Sequence, residues 1–332
     1  MKVLILFDLP YQLDPDETLS PKRLKEEQRP TEADVMKSLV RLGHTVETLP
    51  VFDNVSHILE KLHTCAPDVV FNLSESFHDN RAHEPNIPAL LELMKVRYTG
   101  AGPDALMLCK DKAITKKVLA YHHVRVPGFV VSHRQSPLRR LKRFKFPAFV
   151  KPRSEESSDG ISKASFARDE GEAIERAQFI HQKFDCDALI EEYIDGRELY
   201  IGVLGSRRLT VLPPREVFFD NMPADAPKFA TYHAKWNDAY RKKWGITNGA
   251  AQELPPQVEK DLRKIARNVY GWLKIRGCGR LDVRLTPKGE LFVIEVNPNP
   301  SLSQDEDFAQ SAAAAGMDYD ALITAILSLA MQ

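Results

Sequence analysis

The stretch from Gly279 to Asn297 constrains the chain most, because two alternating runs flank Pro287-Lys288-Gly289-Glu290 and read as a β-hairpin. With Lys288 and Gly289 as a two-residue turn, Leu281, Val283 and Leu285 fall opposite Val296, Ile294 and Phe292 on one apolar face. Arg280, Asp282 and Arg284 then fall opposite Asn297, Glu295 and Val293 on the other. A slip of one residue would mix the two faces. This register sets the carboxylates of Asp282 and Glu295 directly across from each other, with Cβ atoms roughly 5 Å apart, where like charges destabilise a sheet. A shared proton, Arg280 and Arg284 alongside, or a divalent cation could compensate. Oxygen donors alone, from Asp282, Glu295 and the amide of Asn297, suit Mg²⁺. A solvated face neutralised by its arginines accounts for the same spacing.

The first third of the chain alternates strands and helices. Val3 to Phe7 is a continuous apolar run suited to a strand buried on both faces. A helix is expected over Thr31 to Leu42, capped by Thr31 and stopped at Gly43. Strands at Val46 to Leu49 and Val69 to Leu73 alternate with helices near Val55 to Leu62 and Ile87 to Met94, the pattern of a doubly wound parallel sheet. Between Asp8 and Pro30 a polar, proline-bearing loop is expected. From about Asp111 to Gly196 the pattern is that of a small α+β unit. The remainder holds strands near Leu199 to Leu204 and Leu209 to Leu212, an irregular stretch through Gly249, the helix Val258 to Leu273, the hairpin and closing helices.

Charge excludes several classes of function. The 332 residues carry 46 basic and 46 acidic side chains, so no overall field draws the chain to a polyanion or to anionic lipid. The apolar start from Met1 to Phe7 is too short for a secretory signal, and no run is long enough to span a membrane. Cys65, Cys109, Cys186 and Cys278 are far apart without a Cys-x-x-Cys pair, and no two histidines have the His-x-x-x-His spacing. A reduced, cytoplasmic protein is expected. The basic segment His133 to Lys145 reads either as a solvated amphipathic helix or as a dock for RNA or an acidic carrier protein.

No Gly-x-x-x-x-Gly-Lys-Ser/Thr is present, and Gly277-Cys278-Gly279 leads into a strand, so neither a P-loop nor a dinucleotide fingerprint explains phosphate binding. Lys151 ends an apolar strand and precedes Ser154 to Gly160, whose small residues could close over phosphates. Glu191-Glu192-Tyr193-Ile194 ends a strand before Asp195-Gly196-Arg197-Glu198. Its free backbone groups could meet an adenine edge, and Glu198 could accept from ribose hydroxyls.

Taken in order, these residues resemble the ATP-grasp superfamily, and within it the D-alanine–D-alanine ligase family. The matching pieces are Tyr98-Thr99-Gly100 before Asp111-Lys112, Val150-Lys151-Pro152 with Ser157-Ser158-x-Gly160, and Glu191 to Ile194 with Glu198. Tyr232-x-x-Lys235, Gly279-Arg280-Leu281-Asp282 and Glu295-Val296-Asn297 complete the set. The resemblance implies an ATP-grasp fold of α/β and α+β modules: an N-terminal domain over 1–110, a central subdomain over 111–196 and a catalytic domain over 197–332. It implies Lys112 and Lys151 on the nucleotide phosphates, Ser157 and Ser158 in the loop above them, Glu191, Glu192, Tyr193 and Ile194 along the adenine slot, and Glu198 on the ribose. Lys235 would meet the γ-phosphate, Arg280 and Ser157 would serve the reacting centre, and Asp282, Glu295 and Asn297 would hold one or two Mg²⁺ or Mn²⁺. The implied reaction is ATP-dependent joining of a carboxylate to an amine through an acyl phosphate. A kinase acting on a hydroxyl and a non-catalytic nucleotide binder are the alternatives.

The substrate side departs from that family. The segment Phe71 to Glu75 and His83-Glu84-Pro85 lacks the family's glycines, and Asn297-Pro298-Asn299-Pro300-Ser301 replaces Asn-x-x-Pro-Gly. Glu306 stands where the family places a serine that receives the acceptor's carboxylate. An acceptor amine without a carboxylate there, or with a positive group near Asp305, Glu306 and Asp307, is one expectation, and a solvated loop with the acceptor held elsewhere is the other. Glu84, Ser301 and Glu306 are the substrate-side candidates. Small carboxylate and amine substrates are the expected partners, with neither nucleic acid nor membrane, and a homodimer is compatible with this reading.

Overall fold

The computed structural model describes residues 1–13, 19–154, 160–223, 226–231, 234 and 237–332. Strands β1 (Lys2–Asp8), β2 (Thr45–Val51) and β3 (Val69–Asn72) form a parallel sheet in the order β2-β1-β3. The side chains of β1 divide by parity, as a doubly wound sheet requires. Val3, Ile5 and Phe7 pack with Val35 and Leu39 of the helix Pro30–Arg41 and with Ile323 and Leu327 of the helix Tyr319–Ala330. Leu4 and Leu6 pack on the other side with Ile58, Leu62, Ile87 and Leu91. The last helix thus returns to the first sheet, where Ser38 Oγ donates to Asp320 Oδ1 at 2.6 Å. The helix expected from Thr31 starts at Pro30 instead, and no side chain caps it. A proline at the first helical position lacks an N–H that would go unpaired and already has helical φ. Gly43 follows in the left-handed conformation, φ +77°. The short helix Pro21–Glu26 interrupts the stretch expected to be loop, and the helix Pro103–Lys110 occupies a stretch to which the sequence assigned no element.

The antiparallel strands β4 (Phe129–Ser132), β5 (Ala148–Pro152), β6 (Phe166–Ala167) and β7 (Ala188–Glu192) form a second sheet in the order β4-β7-β5-β6. The helix Glu170–Phe184 covers it, with Ala173, Ala177 and Ile180 in a core with Val150 and Ile190. The basic segment is not a helix: it runs through turns and a His133–Ser136 bridge, anchored by buried Leu141 and by Leu138, Phe144 and Phe146. Pro137 and Pro147 interrupt helical hydrogen bonding at both of its ends.

The third sheet joins β8 (Arg197–Gly205), β9 (Leu209–Val211), β10 (Arg215–Phe219), β11 (Ile246–Ala250), β12 (Gly277–Leu285) and β13 (Leu291–Asn297). Its order is β11-β10-β8-β12-β13, with β9 on β8. The stretch expected to be irregular therefore contains two strands and the helix Asp238–Trp244.

The hairpin keeps the expected register only at its far end. Arg280, Leu281 and Asp282 pair with Asn297, Val296 and Glu295, but a bulge then shifts the pairs to Val283–Val293, Arg284–Phe292 and Leu285–Leu291. The turn is the cause. Of Lys288 and Gly289 only the glycine has positive φ, +79°, whereas a two-residue primed turn with the expected pairing favours positive φ at both positions. Gly289 N donates to Thr286 O and Thr286 N to Glu290 O, which closes a three-residue loop. Ile294 is the extra residue, so Val293 and Leu291 replace Ile294 and Phe292 on the buried face.

Candidate active site

Asp111 makes the first site element. Its carboxylate accepts from the amides of Ala113 and Ile114, both at 3.0 Å, capping the helix Lys112–Tyr121. Arg153 grips the same acid, and this pairing together with the cap outweighs burial and holds Asp111 below its ordinary pKa. The cap fixes Lys112 and Lys116, one turn apart, on the buried side of the helix at 4% and 1% exposure. Lys112 Nζ lies 3.2 Å from Glu295 Oε1 on β13. Lys116 Nζ lies 3.1 Å from Glu191 Oε2 and donates to the Ile294 carbonyl at 2.8 Å.

Lys151 leaves β5 with its Nζ 2.9 Å from Glu191 Oε1, so one buried carboxylate stands between two buried ammonium groups. Desolvation opposes all three charges. It wins at Lys116, drawn down to about 8, whereas the paired lysines hold Glu191 below its ordinary value. At Lys151, Glu191 and the more distant Glu295 outweigh burial and raise the pKa.

Asp282 and Glu295 face each other as the alternation required, and cations already engage both. Arg280 holds Asp282 through two hydrogen bonds, Nε to Oδ1 at 2.7 Å and a terminal nitrogen to Oδ2 at 3.0 Å. Its guanidinium also stacks 4.6 Å above the Tyr200 ring. Arg284 does not serve the acid pair: it turns to Glu198 at 2.7 Å and to the Gly196 carbonyl at 2.9 Å. Asn297 Oδ1 accepts from Asn299 N at 2.9 Å. Two carboxylates and an amide oxygen, each with lone pairs beyond those used, form a donor set that fits Mg²⁺. Among the described residues there is no group of three or more His, Cys, Asp or Glu that could hold a metal ion.

Lys112, Lys151, Arg280, Asp282, Glu295 and Asn297 open onto one cavity of about 1110 Å³ where the three sheets meet. Beside it runs a narrow cleft of about 80 Å³, walled by Phe149 and Phe229 and lined by Glu191, Glu192, Tyr193, Ile194 and Glu198. The residues expected along an adenine slot and at a ribose thus share one cleft. Glu198 there accepts from Tyr200 Oη at 2.9 Å as well as from Arg284. Ser157, Ser158 and Lys235 lie outside the described residues.

On the substrate side Glu84, Ser301 and Glu306 all line the large cavity. Glu84 is buried and paired with Lys110 at 2.6 Å, and Ser301 Oγ lies 3.2 Å from Thr31 Oγ1. Asp307, 6% exposed, is held by Arg215 at 3.2 Å and by Asn248 Nδ2 at 2.6 Å. Arg215, Asn248 and the buried Glu32 also line the cavity and escaped sequence reasoning, as did Lys116 behind the nucleotide cleft. Arg215 and Asn248 lie in the stretch read as irregular. Only Lys116 had a signal, its spacing of four from Lys112 on a helix.

Two antiparallel modules enclosing such a cleft, with lysines on one and an acid pair on the other, define an enzyme of the ATP-grasp class. The family model described as "D-ala D-ala ligase C-terminus" matches residues 111–328. The D-alanine–D-alanine ligase of Erythrobacter litoralis is 32% identical over 310 residues, covering 90% of this chain and 87% of that protein. The enzyme of the same name from Bordetella petrii is 30% identical over 84% of this chain and 80% of its own. An uncharacterised Sinorhizobium fredii protein, y4sG, is 32% identical over 79% of this chain and 74% of its own. The crystal structure of D-alanine–D-alanine ligase from Bacillus anthracis complexed with ATP superposes with a TM-score of 0.76 at 21% identity, covering 100% of this chain and 97% of that one, and shares the fold. The chain belongs to the D-alanine–D-alanine ligase family and is an ATP-dependent carboxylate–amine ligase.

Proposed function

We propose that the chain activates a small carboxylic acid with Mg-ATP and transfers the acyl group to an amine that presents no carboxylate to Glu306. The observation that supports this reading is the large cavity itself, which adjoins the nucleotide cleft and gathers Lys112, Lys151 and Arg280 with the acids Asp282 and Glu295. In this reading the units are 1–110, 111–196 and 197–332, with the nucleotide between the second and third. Lys112 and Lys151 bind phosphate oxygens, and Lys235, with Ser157 and Ser158, completes the enclosure. Glu191 to Ile194 and Glu198 hold adenosine. Asp282, Glu295 and Asn297 hold Mg²⁺ or Mn²⁺, which supplies charge neutralisation on the phosphates when bound. Arg280 stabilises charge on the transferring phosphoryl group and the acyl phosphate oxygens. The acceptor amine then attacks the acyl carbon, phosphate departs, and the amine loses a proton as the amide forms.

Acceptor selection follows from charge. Asp307 is neutralised by Arg215 and hydrogen-bonded by Asn248, whereas Asp305 and Glu306 line the cavity with no cation within ion-pair distance among the described residues. An acceptor carboxylate at that wall would meet repulsion, and a positive group would meet attraction. The donor end is lined by ion pairs, Arg29–Glu32 and Lys110–Glu84, which suits a zwitterionic amino acid or dipeptide. ATP use, cysteines free of disulfides and net charge zero favour the cytoplasm and give no field for nucleic acid. No single described helix is long and apolar enough to cross a membrane. A homodimer is compatible with this reading, and sedimentation would test it.

The deciding experiment screens pooled amino acids and amines for ATP-dependent phosphate release, with mass detection of the product. It then compares acceptors in matched pairs with and without the α-carboxylate. An amide whose formation favours the decarboxylated acceptor is expected. Preference for the free acid would overturn the acceptor assignment, and ADP formation that requires an amine would count against a hydroxyl kinase.

A further inference from the structure

A second cavity of about 830 Å³ lies outside the reaction site, between the helix Glu170–Phe184 and the stretch from Met222 to Ile246. Phe166, Phe179, Phe229, Tyr240 and Trp244 contribute rings to its walls. Phe229 also walls the nucleotide cleft, so the two spaces lie back to back.

Arg176 gives this cavity its chemistry. Its side chain is 9% exposed, yet its only hydrogen bond among the described residues runs from a terminal nitrogen to the Gly160 carbonyl. Its Nε is buried with no hydrogen-bond partner, its guanidinium lies 4.5 Å over the Phe179 ring, and no carboxylate lies within ion-pair distance among the described residues. The other guanidinium groups of comparable burial, Arg280, Arg284 and Arg215, each hold a carboxylate. A buried cation without an anion is costly, and burial lowers the pKa of Arg176 with no acid to offset it. Lys163 adds a second cation at the rim with no ion-pair partner among the described residues, its Nζ 5.5 Å from the Trp244 ring centroid. The remaining charges are Arg168, engaged by Glu172 at 3.2 Å, and the exposed Glu175.

We propose that this cavity binds a small organic anion with an aromatic body, its acidic group on Arg176 and Lys163 and its ring among Phe229, Tyr240 and Trp244. The guanidinium is then paired as elsewhere in the molecule, and the rings meet a planar apolar surface. A merely structural Arg176 would need only a neutral donor to Gly160.

The test titrates the full chain with the fluorescent probe anilinonaphthalene sulfonate while a non-hydrolysable ATP analogue saturates the nucleotide cleft. One saturable site is expected, weakened roughly tenfold or more in Arg176→Gln and in Trp244→Ala, with uncharged phenylnaphthylamine weaker by a similar factor on the unaltered protein. Thermal melting of each variant confirms folding. Should Arg176→Gln fail to fold, Lys163→Gln on the exposed rim reads the same charge, with roughly threefold weakening expected. Competition between probe and ATP analogue, affinity unchanged by these substitutions, or no saturable binding because the chain's own loops fill the space would each overturn the proposal. None of these readouts depends on ligase turnover.

Discussion

Lys116 Nζ donates to the Ile294 carbonyl at 2.8 Å, and Ile294 is the bulged residue that sets the register of the two site strands. The same ammonium group is one of the two that flank Glu191. It therefore ties the acid pair to the nucleotide cleft from behind. Lys116→Met removes the donor and one of the two charges that stabilise Glu191, so Lys151 is drawn more tightly to that acid. We expect KM for ATP to rise about tenfold, equivalent to ~1.4 kcal/mol, with partial recovery in Lys116→Arg. Initial rates against ATP at fixed Mg²⁺ check this, and an unchanged KM in the methionine variant would count against it.

Asp282 is one side of a like-charge pair, so its removal relieves repulsion while it deletes a metal donor and frees Arg280. Asp282→Ala should lose turnover by at least about a hundredfold while staying folded, with a lowered melting temperature because Arg280 loses its acid. Calorimetry of ATP binding with and without Mg²⁺ separates the two effects, because the magnesium-dependent part of the affinity should vanish. An unfolded variant, or one with full turnover, contradicts the role given to this carboxylate.

Residues whose neighbours along the chain decide their placement were legible in the sequence. The helix Lys112–Tyr121 and the strand Ala188–Glu192 fall where their apolar patterns set them, and Asp282 faces Glu295 because alternation admits one register near the site. The other half of the hairpin was not legible, since the φ that Lys288 adopts selects the turn and the turn inserts Ile294. Nor was the acceptor wall. Arg215 and Asn248 meet Asp307 across 92 and 59 residues, and no local period encodes such a contact. Glu32 was hidden in the same way, because its helix reads as amphipathic without revealing that the acid end faces a cavity.

Burial holds Glu32 above its ordinary pKa of 4.5, against the pull of its own backbone amide and of Arg29. The folded chain therefore binds this proton more tightly than the unfolded chain. The stabilisation from protonated Glu32 is fully present below pH 4.5 and is lost as pH rises through the folded pKa. Glu32→Gln removes that titration, so the variant should gain stability relative to the unaltered protein as pH rises from about 4 to about 7. Urea unfolding of both proteins across this range measures the difference, from which other titrating groups cancel. A difference that stays flat with pH would show that Glu32 is not desolvated.

Gly100 reaches the metal donors through one intermediary. Its φ is +92°, and a Cβ there would lie 2.9 Å from Asn299 Oδ1, the atom that accepts the Ala101 amide at 2.9 Å. Asn299 in turn donates its own amide to Asn297 Oδ1 at 2.9 Å. Gly100→Ala must push Asn299 aside and occupy a backbone region that costs an L-residue about 1 kcal/mol. We expect melting to fall by a few degrees and the half-saturating Mg²⁺ concentration for turnover to rise severalfold, because Asn297 loses the contact that orients its amide. Asn299→Ala keeps the backbone N–H that Asn297 accepts but deletes the Oδ1 that anchors it to the Ala101 amide, so it should show the magnesium effect without the backbone strain. If the Gly100 variant shifts melting while both variants keep the original magnesium dependence, Asn297 is positioned by β13 alone.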